Sequence, residues 1–342
     1  MLEDEFQQYA LSARAIAHVL QKSQRIILTT HVRPDGDAIG SLLGLGNALR
    51  NIGKQPRLII PSNVPAFLQF LPGSESIEVY NSLAHDNAIA TADVIVFLDF
   101  NAVNRLDTMR PIVSSSRAQR VLIDHHLEPE EGFIAMLHDT EVASTAELTF
   151  ALILLEYPAA LQSNVAIPLY TGVLTDTGSF RFPRVTARTH RMVAVFLEHG
   201  VQPHCIYEAI YDTNSPVRLR LMGEVLRGLE IECGGQCAIL SLRRQQILAY
   251  GATEDDTEGF VQYTLTIPGV QVGVFLSEMM AQDAVKVSLR SKGNVSVQRI
   301  AEQFGGGGHL NAAGVTIASI PLDRVKKEIV AAIEQQLKGN SE

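Results

Sequence analysis

The strongest constraint on the fold is an alternation of short apolar segments with helical patterns in the first half of the chain. The apolar segments are Arg25–Thr30, Arg57–Ile60, Val94–Leu98 and Val121–Ile123, and helical spacing recurs between them, as in Gly40–Arg50. Continuous apolar strands that alternate with helices are typical of a mostly parallel sheet with helices on both faces. We therefore expect an α/β fold built around such a sheet.

A break in this pattern predicts a second domain. With 342 residues the chain is long enough for two cores. Periodicity is weak over residues 201–217, which contain Pro203 and Pro216. We predict a catalytic domain at 1–200, a linker at 201–217 and a smaller α/β domain at 218–342. Its expected elements are strands near Ala238–Leu242, Val270–Leu276 and Val285–Leu289 and helices near Thr257–Ile267, Ser296–Phe304 and Leu322–Leu337.

Composition and charge exclude several classes of protein. Hydrophobic residues make up 46% and charged residues 19% of the chain, which excludes a disordered protein. The formal net charge of −9 disfavours a broad basic face for long or duplex nucleic acid. Three cysteines are too few for a disulfide framework, and the acidic N-terminus lacks a secretory pattern. We expect a cytoplasmic protein that has no membrane partner and acts on short substrates.

Ionisable side chains follow the first predicted strand directly. His31, Asp35 and Asp37 lie within seven residues, with Pro34 and Gly36 between them to bend the backbone. In an open α/β sheet the carboxyl ends of the strands form the ligand crevice. The alternative reading is a polar turn in which an aspartate caps the next helix.

Three more elements end in the same types of residue. Val94–Leu98 is followed by Asp99, and Val121–Ile123 is followed by Asp124-His125-His126. Asp176 stands at the end of an apolar helical segment. An apolar strand that ends in an unpaired carboxylate is unfavourable unless a cation or hydrogen-bond donors lie nearby.

This set of residues indicates a metal site. Carboxylate oxygens and imidazole nitrogens suit Mn²⁺ best here, with Mg²⁺ and Fe²⁺ as alternatives. The ligands suffice for two divalent ions, which together can activate water and stabilise in-line displacement at phosphorus.

These motifs resemble the DHH phosphoesterase family, which is named for the tripeptide Asp124-His125-His126. The family motifs appear in order as His31/Asp35/Asp37, Asp99, Asp124-His125-His126 and Asp176. Residues 304–314, Phe-Gly-Gly-Gly-Gly-His-Leu-Asn-Ala-Ala-Gly, resemble the first DHH-associated C-terminal domain. The stand-alone nanoRNases of the family, which also dephosphorylate 3′-phosphoadenosine 5′-phosphate, are the most similar in motif content.

The resemblance implies roles for the matching residues. His31, Asp35 and Asp99 would bind one metal ion. Asp37, Asp99, His125 and Asp176 would bind the other, with Asp99 bridging. Asp124 would orient a ligand, and His126 would contact the reacting phosphate.

The resemblance also implies a substrate-binding role for the second domain. The glycine run offers consecutive N–H groups typical of an anion nest, and His309 is a candidate phosphate contact. Arg290 and Ser291 would face the substrate from a strand end, and Arg105 would lie near the metals. The active site would then lie in a cleft between the domains. The substrate-binding set is Arg105, Arg290, Ser291, Gly305, Gly306, Gly307, Gly308 and His309.

We therefore expect a metal-dependent exonuclease that releases mononucleotides from short single-stranded RNA, with 3′-phosphoadenosine 5′-phosphate as a second substrate. The alternative activity is hydrolysis of cyclic di-AMP or of linear dinucleotides. A non-catalytic nucleotide sensor is the alternative from another class, and a homodimer is compatible with the sequence. Arg181 and Arg184, in a basic run after Asp176, are weaker candidates for attracting phosphate.

Overall fold

The computed structural model describes residues 2–339, which divide into two compact units between Thr213 and Asn214. The strands of the first unit are β1 (Ile26–Thr29), β2 (Arg57–Ile60), β3 (Ile77–Val79), β4 (Val94–Leu98), β5 (Gln119–Asp124) and β6 (Ala135–His138). Its helices are α1 (Leu2–Phe6), α2 (Ala10–Lys22), α3 (Gly36–Asn51), α4 (Ser82–Ala90), α5 (Arg110–Ser115), α6 (Thr145–Glu156), α7 (Ser163–Asp176), α8 (Ala187–Glu198) and α9 (Pro203–Tyr211).

The six strands of the first unit form one parallel sheet in the order β3-β2-β1-β4-β5-β6. Side chains of successive strand residues point to opposite faces. Val94, Val96 and Leu98 therefore join one core cluster, and Ile95 and Phe97 join another. The sheet is buried on both faces, which confirms the predicted α/β fold and explains why its strands are apolar throughout.

The strand order determines where a ligand can bind. The chain runs outward from β1 through β2 to β3, then returns to β4 beside β1 and continues outward to β6. Connections after β1 and β4 therefore diverge, and they leave a crevice at the carboxyl ends of these two strands. The motif at His31 and the residue Asp99 follow these strands.

Helices α3 and α7 pack unusually closely beside this crevice. A methyl group built on Gly40 of α3 would overlap the carbonyl oxygen of Pro168 and lie 2.9 Å from the backbone nitrogen of Gly172, both in α7. A methyl group on Gly172 would lie 2.8 Å from Oδ1 of Asp37. The two glycines thus let the helices approach until Asp37 and Asp176 reach one site.

The second unit contains a mixed sheet in the order β11-β12-β10-β9-β8-β7. Its strands are β7 (Glu230–Glu232), β8 (Cys237–Leu242), β9 (Val272–Glu278), β10 (Ala284–Ser291), β11 (Gly307–His309) and β12 (Ala312–Ala318). Its helices are α10 (Pro216–Arg227), α11 (Arg244–Tyr250), α12 (Val261–Thr264), α13 (Val297–Gln303) and α14 (Leu322–Gly339). β8 and β9 are parallel, and the other neighbouring strands are antiparallel.

Two expectations about secondary structure differ from the structure. The segment 201–217, predicted as a linker, contains α9, which places Ile206 and Ile210 in the core of the first unit. Pro203 stands in the first turn of this helix, where proline is favourable, so it marks a helix start. The helix predicted at Thr257–Ile267 is reduced to α12, because Gly259, with φ of +78°, interrupts it.

No helix within residues 2–339 is both long enough and apolar enough to cross a membrane.

Candidate metal centre

The loop after β1 and the first turn of α3 present His31, Asp35 and Asp37 toward the crevice. Asp35 caps α3, since its Oδ1 accepts hydrogen bonds from the backbone nitrogens of Asp37 and Ala38, both at 3.0 Å. His31 Nδ1 lies 2.9 Å from the carbonyl oxygen of Val32. That contact places the imidazole proton on Nδ1 and leaves Nε2 as an acceptor. The cap and the metal-ligand interpretations of this motif are therefore compatible.

Asp99 lies at the centre of the site. It directly follows β4 with a left-handed backbone, φ +65°, and is almost completely buried. Its Oδ2 lies 3.7 Å from His31 Nε2, and its Oδ1 lies 3.7 Å from His125 Nε2. The two carboxylate oxygens thus face different imidazoles.

Asp176 closes the other side of the site. It is the last residue of α7, and its Oδ2 lies 3.6 Å from His125 Nε2. Three sets of side chains bring their ligand atoms within 4.8 Å of one another in the described residues. These sets are His31/Asp35/Asp99, Asp37/His125/Asp176 and Asp99/His125/His126.

Asp124 orients His126. Asp124 Oδ1 lies 2.7 Å from His126 Nδ1, and its Oδ2 accepts a hydrogen bond from the backbone nitrogen of His126 at 3.1 Å. The carbonyl oxygen of His126 accepts a further hydrogen bond from His138 Nε2 at 2.6 Å. Because Nδ1 is engaged with Asp124, the free position of the partly exposed His126 ring is Nε2.

The start of helix α6 holds two of the aspartates. The backbone nitrogens of Thr145 and Ala146 donate to the two carboxylate oxygens of Asp37 at 2.6 and 2.9 Å. The hydroxyl of Thr145 donates to Asp99 Oδ1 at 2.9 Å. The positive end of the helix therefore stabilises these carboxylates. Nothing in the sequence linked this helix start to the site.

The aspartates raise one another's pKa. Burial first, and then the charges of Asp99, Asp176 and Asp35, raise the pKa of Asp37 well above its usual value. Burial and the charge of Asp35 do the same for the pKa of Asp99, and they raise the pKa of Asp176 to about 6. A bound cation would relieve both effects.

The histidines differ in their ionisation. Burial lowers the pKa of His31, and burial together with the charge of His126 lowers the pKa of His125 to about 4. Both are therefore neutral near pH 7, as metal ligands must be. For His126 burial lowers the pKa, but the hydrogen bond to Asp124 and the charge of Asp99 outweigh it, so the pKa is raised.

The donor set fits divalent cations. It combines carboxylate oxygens with imidazole nitrogens, contains no thiolate and places two of its carboxyl groups, those of Asp37 and Asp99, in buried positions. Such a set suits Mn²⁺, Mg²⁺ or Fe²⁺. These side chains of the first unit can therefore hold metal ions.

Two protein-family models match this chain. The model for the DHH family, N-terminal domain, matches residues 25–173, and the model for the DHHA1 domain matches residues 235–339.

This chain belongs to the DHH family.

Similar proteins are known from several bacteria. The DHH protein described here is 34% identical to the bifunctional oligoribonuclease and PAP phosphatase NrnA of Thermus thermophilus, over 95% of this chain and 94% of the relative. It is 27% identical to the protein of the same name from Bacillus subtilis, the bifunctional oligoribonuclease and PAP phosphatase NrnA, over 86% of this chain and 90% of that relative. The crystal structure of an exopolyphosphatase-related protein from Bacteroides fragilis has a TM-score of 0.91 and 35% identity, and covers 97% of this chain and 98% of that one.

In the DHHA1 domain the first two glycines of the run do not form the predicted anion nest. The backbone nitrogens of Gly305 and Gly306 donate to the carbonyl oxygens of Glu302 and Ala301 at 3.1 and 2.9 Å. Gly305 has a φ of +79° and ends α13, as glycine commonly does after a helix. These two N–H groups are therefore not free for an anion, and the prediction of a nest is corrected for them.

The remaining predicted substrate residues have these positions. Gly307 and Gly308 pair with β12 in the edge strand β11, and the side chain of His309 lies outside what the structure describes. Arg290 is half-buried near the end of β10. The hydroxyl of Ser291 donates to the carbonyl oxygen of Val295 at 2.6 Å. The carbonyl oxygen of Arg105 accepts a hydrogen bond from the backbone nitrogen of Val32 at 2.8 Å, next to His31.

Proposed function

We propose that this DHH protein hydrolyses short oligoribonucleotides to mononucleotides and dephosphorylates 3′-phosphoadenosine 5′-phosphate. The observation that carries the proposal is the convergence of the two imidazoles His31 and His125 on opposite oxygens of Asp99. The similarity to the two NrnA proteins over most of both chains supports the same substrates.

The proposed ligand sets use this geometry. His31, Asp35 and Asp99 would hold one ion, and Asp37, Asp99, His125 and Asp176 would hold the second, so that Asp99 would contribute to both. Two divalent ions, in our proposal Mn²⁺, would supply Lewis acidity and a water that is deprotonated near neutral pH. The hydrogen bonds from Thr145 and Ala146 hold Asp37 in place without a cation.

His126 and Asp124 act on the substrate in this proposal. Asp124 fixes the ring and raises the pKa of His126, outweighing the effect of burial. Nε2 of His126 can then donate a hydrogen bond to the reacting phosphate as negative charge develops on it. Arg105 adds a positive charge near the same ring, and in this proposal the DHHA1 domain supplies Arg290 and His309 as substrate-binding residues.

The test is hydrolysis of a substrate panel with and without Mn²⁺. The panel contains a dinucleotide, a pentanucleotide, a long single strand, 3′-phosphoadenosine 5′-phosphate and cyclic di-AMP. We expect the fastest turnover on the shortest linear substrates. Asp99→Asn should abolish turnover, and Glu198→Gln, an exposed carboxylate on α8, should match wild type.

The other possible results of the substrate panel would lead to different conclusions. Preference for cyclic di-AMP or for the long strand would keep the chemistry and refute the proposed substrates. Mn²⁺ binding with no turnover on any phosphoester would indicate a nucleotide sensor.

A further inference from the structure

The backbone after Asp176 has an unusual conformation. Gly178, Ser179 and Phe180 follow one another with φ of +55°, +63° and +64°. Ser179 and Phe180 carry a Cβ atom, for which this left-handed conformation is unfavourable. Strain of this kind persists where the surrounding contacts enforce it, and it often occurs at functional sites.

Thr177 enforces the conformation from within the fold. It is buried, and its hydroxyl accepts a hydrogen bond from the backbone nitrogen of Phe180 at 2.9 Å. Its carbonyl oxygen accepts hydrogen bonds from the backbone nitrogens of Arg181 and Phe182, both at 3.1 Å. The turn is therefore held rigidly beside the metal centre.

The two phenylalanines of this turn lie in different environments. Phe180 packs against the core, with its ring 6.0 Å from that of Tyr170. Phe182 is 47% exposed. Its ring lies against Gly178, where an added Cβ would be 2.7 Å from Cζ of Phe182. The ring thus packs against Gly178, two residues after Asp176, with Cζ of Arg181 5.5 Å from its centroid, and it remains partly open to solvent.

Arg184 follows Phe182 by two residues in the same loop. Its positive charge acts on both Asp176 and His125, and it lowers the pKa of each, although burial is the larger influence on both. Within the described part of the chain this exposed guanidinium has neither an ion pair nor a hydrogen bond. It is therefore available to a ligand.

We propose that Phe182 and Arg184 form a nucleotide-binding wall next to the metal centre, in which the ring stacks on the base and the guanidinium binds a second phosphate. The inference rests on the proposed function and adds residues that select nucleotides over other phosphoesters. Every base has a π face, so stacking on Phe182 tolerates all sequences. The planar guanidinium suits bidentate contact with phosphate.

The first experiment compares binding of AMP and of ribose 5-phosphate, which differ only in the base, by calorimetry with Mn²⁺ present. Phe182→Leu keeps an apolar side chain but removes the ring. It should weaken AMP binding about tenfold, as expected for loss of one stacked base. Ribose 5-phosphate should bind as to wild type, and Phe182→Tyr should restore AMP binding.

The second experiment tests Arg184 with a 5′-phosphorylated dinucleotide, which carries one phosphate more than AMP. Arg184→Gln should raise the KM for the dinucleotide about tenfold and weaken AMP binding less, because the lost contact is a charge-assisted one. Arg117→Gln removes an exposed arginine just before the amino end of β5, the opposite edge of the sheet, and should match wild type.

The outcomes separate this inference from the proposed function. It is overturned if Phe182→Leu binds AMP as tightly as wild type, or if it weakens AMP and ribose 5-phosphate equally. Normal dinucleotide turnover by both variants would overturn it and leave the proposed function standing. Binding of AMP that depends on the ring, in a wild-type protein that hydrolyses no nucleotide, would support the inference and refute the proposed function.

Discussion

Removal of the divalent metal should make the stability of this protein fall as the pH rises. Burial and the charge of Asp35 raise the pKa of Asp176 from 3.8 to about 6. Between these two values the folded chain binds more protons than the unfolded chain. The contribution of this group to stability is therefore greatest below the unfolded pKa and is lost as the pH rises through the folded pKa.

The size of the expected stability change follows from the shift in the pKa of Asp176. A change of about two pKa units corresponds to about 3 kcal/mol. The Asp176 side chain is 33% exposed, and solvent screening reduces the effect to roughly 2 kcal/mol. Burial first, and then neighbouring carboxylates, also raise the pKa of Asp37 and of Asp99. These two groups act in the same direction, so the loss between about pH 5 and pH 7.5 should be at least roughly 1 kcal/mol, with the remainder lost between the unfolded pKa and pH 5.

The assay is urea unfolding followed by circular dichroism, with EDTA or with Mn²⁺, at about pH 5 and pH 7.5, on either side of the raised pKa. Asp176→Asn cannot ionise. Without metal it should be more stable than wild type by about 2 kcal/mol at the higher pH and by about half as much at the lower. It should also gain less stability from Mn²⁺ than wild type does. Glu131→Gln changes an exposed carboxylate and serves as the control.

Two results would refute this reasoning. One is metal-free wild type that keeps the same stability at both pH values. The other is Asp176→Asn that is less stable than wild type at the higher pH without metal, because that would mean the ionised carboxylate stabilises the fold.

Further predictions concern packing around the site. Arg188→Met should reduce the free energy of unfolding by about 3–5 kcal/mol in urea, because it leaves the carboxylate of Glu147, which is 0% exposed and lies 2.7 Å from Arg188 Nη2, buried without its cation. Adding Glu147→Met should restore most of the loss. Gly172→Ala should cost about 1–3 kcal/mol by overpacking and weaken Mn²⁺ binding in calorimetry, because its methyl group would meet Asp37. Gly223→Ala, in open space on α10, should instead stabilise the protein by up to about 1 kcal/mol.

These packing predictions can also fail clearly. If Arg188→Met loses less than about 1 kcal/mol, the pair behaves as a surface ion pair and Glu147 is solvated in solution. If Gly172→Ala binds Mn²⁺ as wild type does, then α7 can shift without disturbing Asp37, and the close helix contact is not needed for the site.

The sequence by itself determined the fold class of the first unit and most of its strands. Val94–Leu98 was predicted with the bounds that the structure shows for β4, because a parallel strand buried on both faces is apolar at every position. The motif residues were visible for a related reason, since a carboxylate directly after such a strand has few favourable environments other than a cation. The metal ligands that we propose all came from this reasoning and the family resemblance.

The tertiary structure decided which groups surround these ligands. Thr145 lies more than forty residues from Asp99 in the sequence, yet its hydroxyl donates to that carboxylate. Gly40 and Gly172 look like ordinary helix residues until the crossing of α3 and α7 shows that neither has room for a methyl group. Phe182 reads as one more apolar residue, and only the left-handed turn exposes it. Local periodicity reports burial along one element, whereas these roles arise from contacts between elements distant in the chain, which no local pattern encodes.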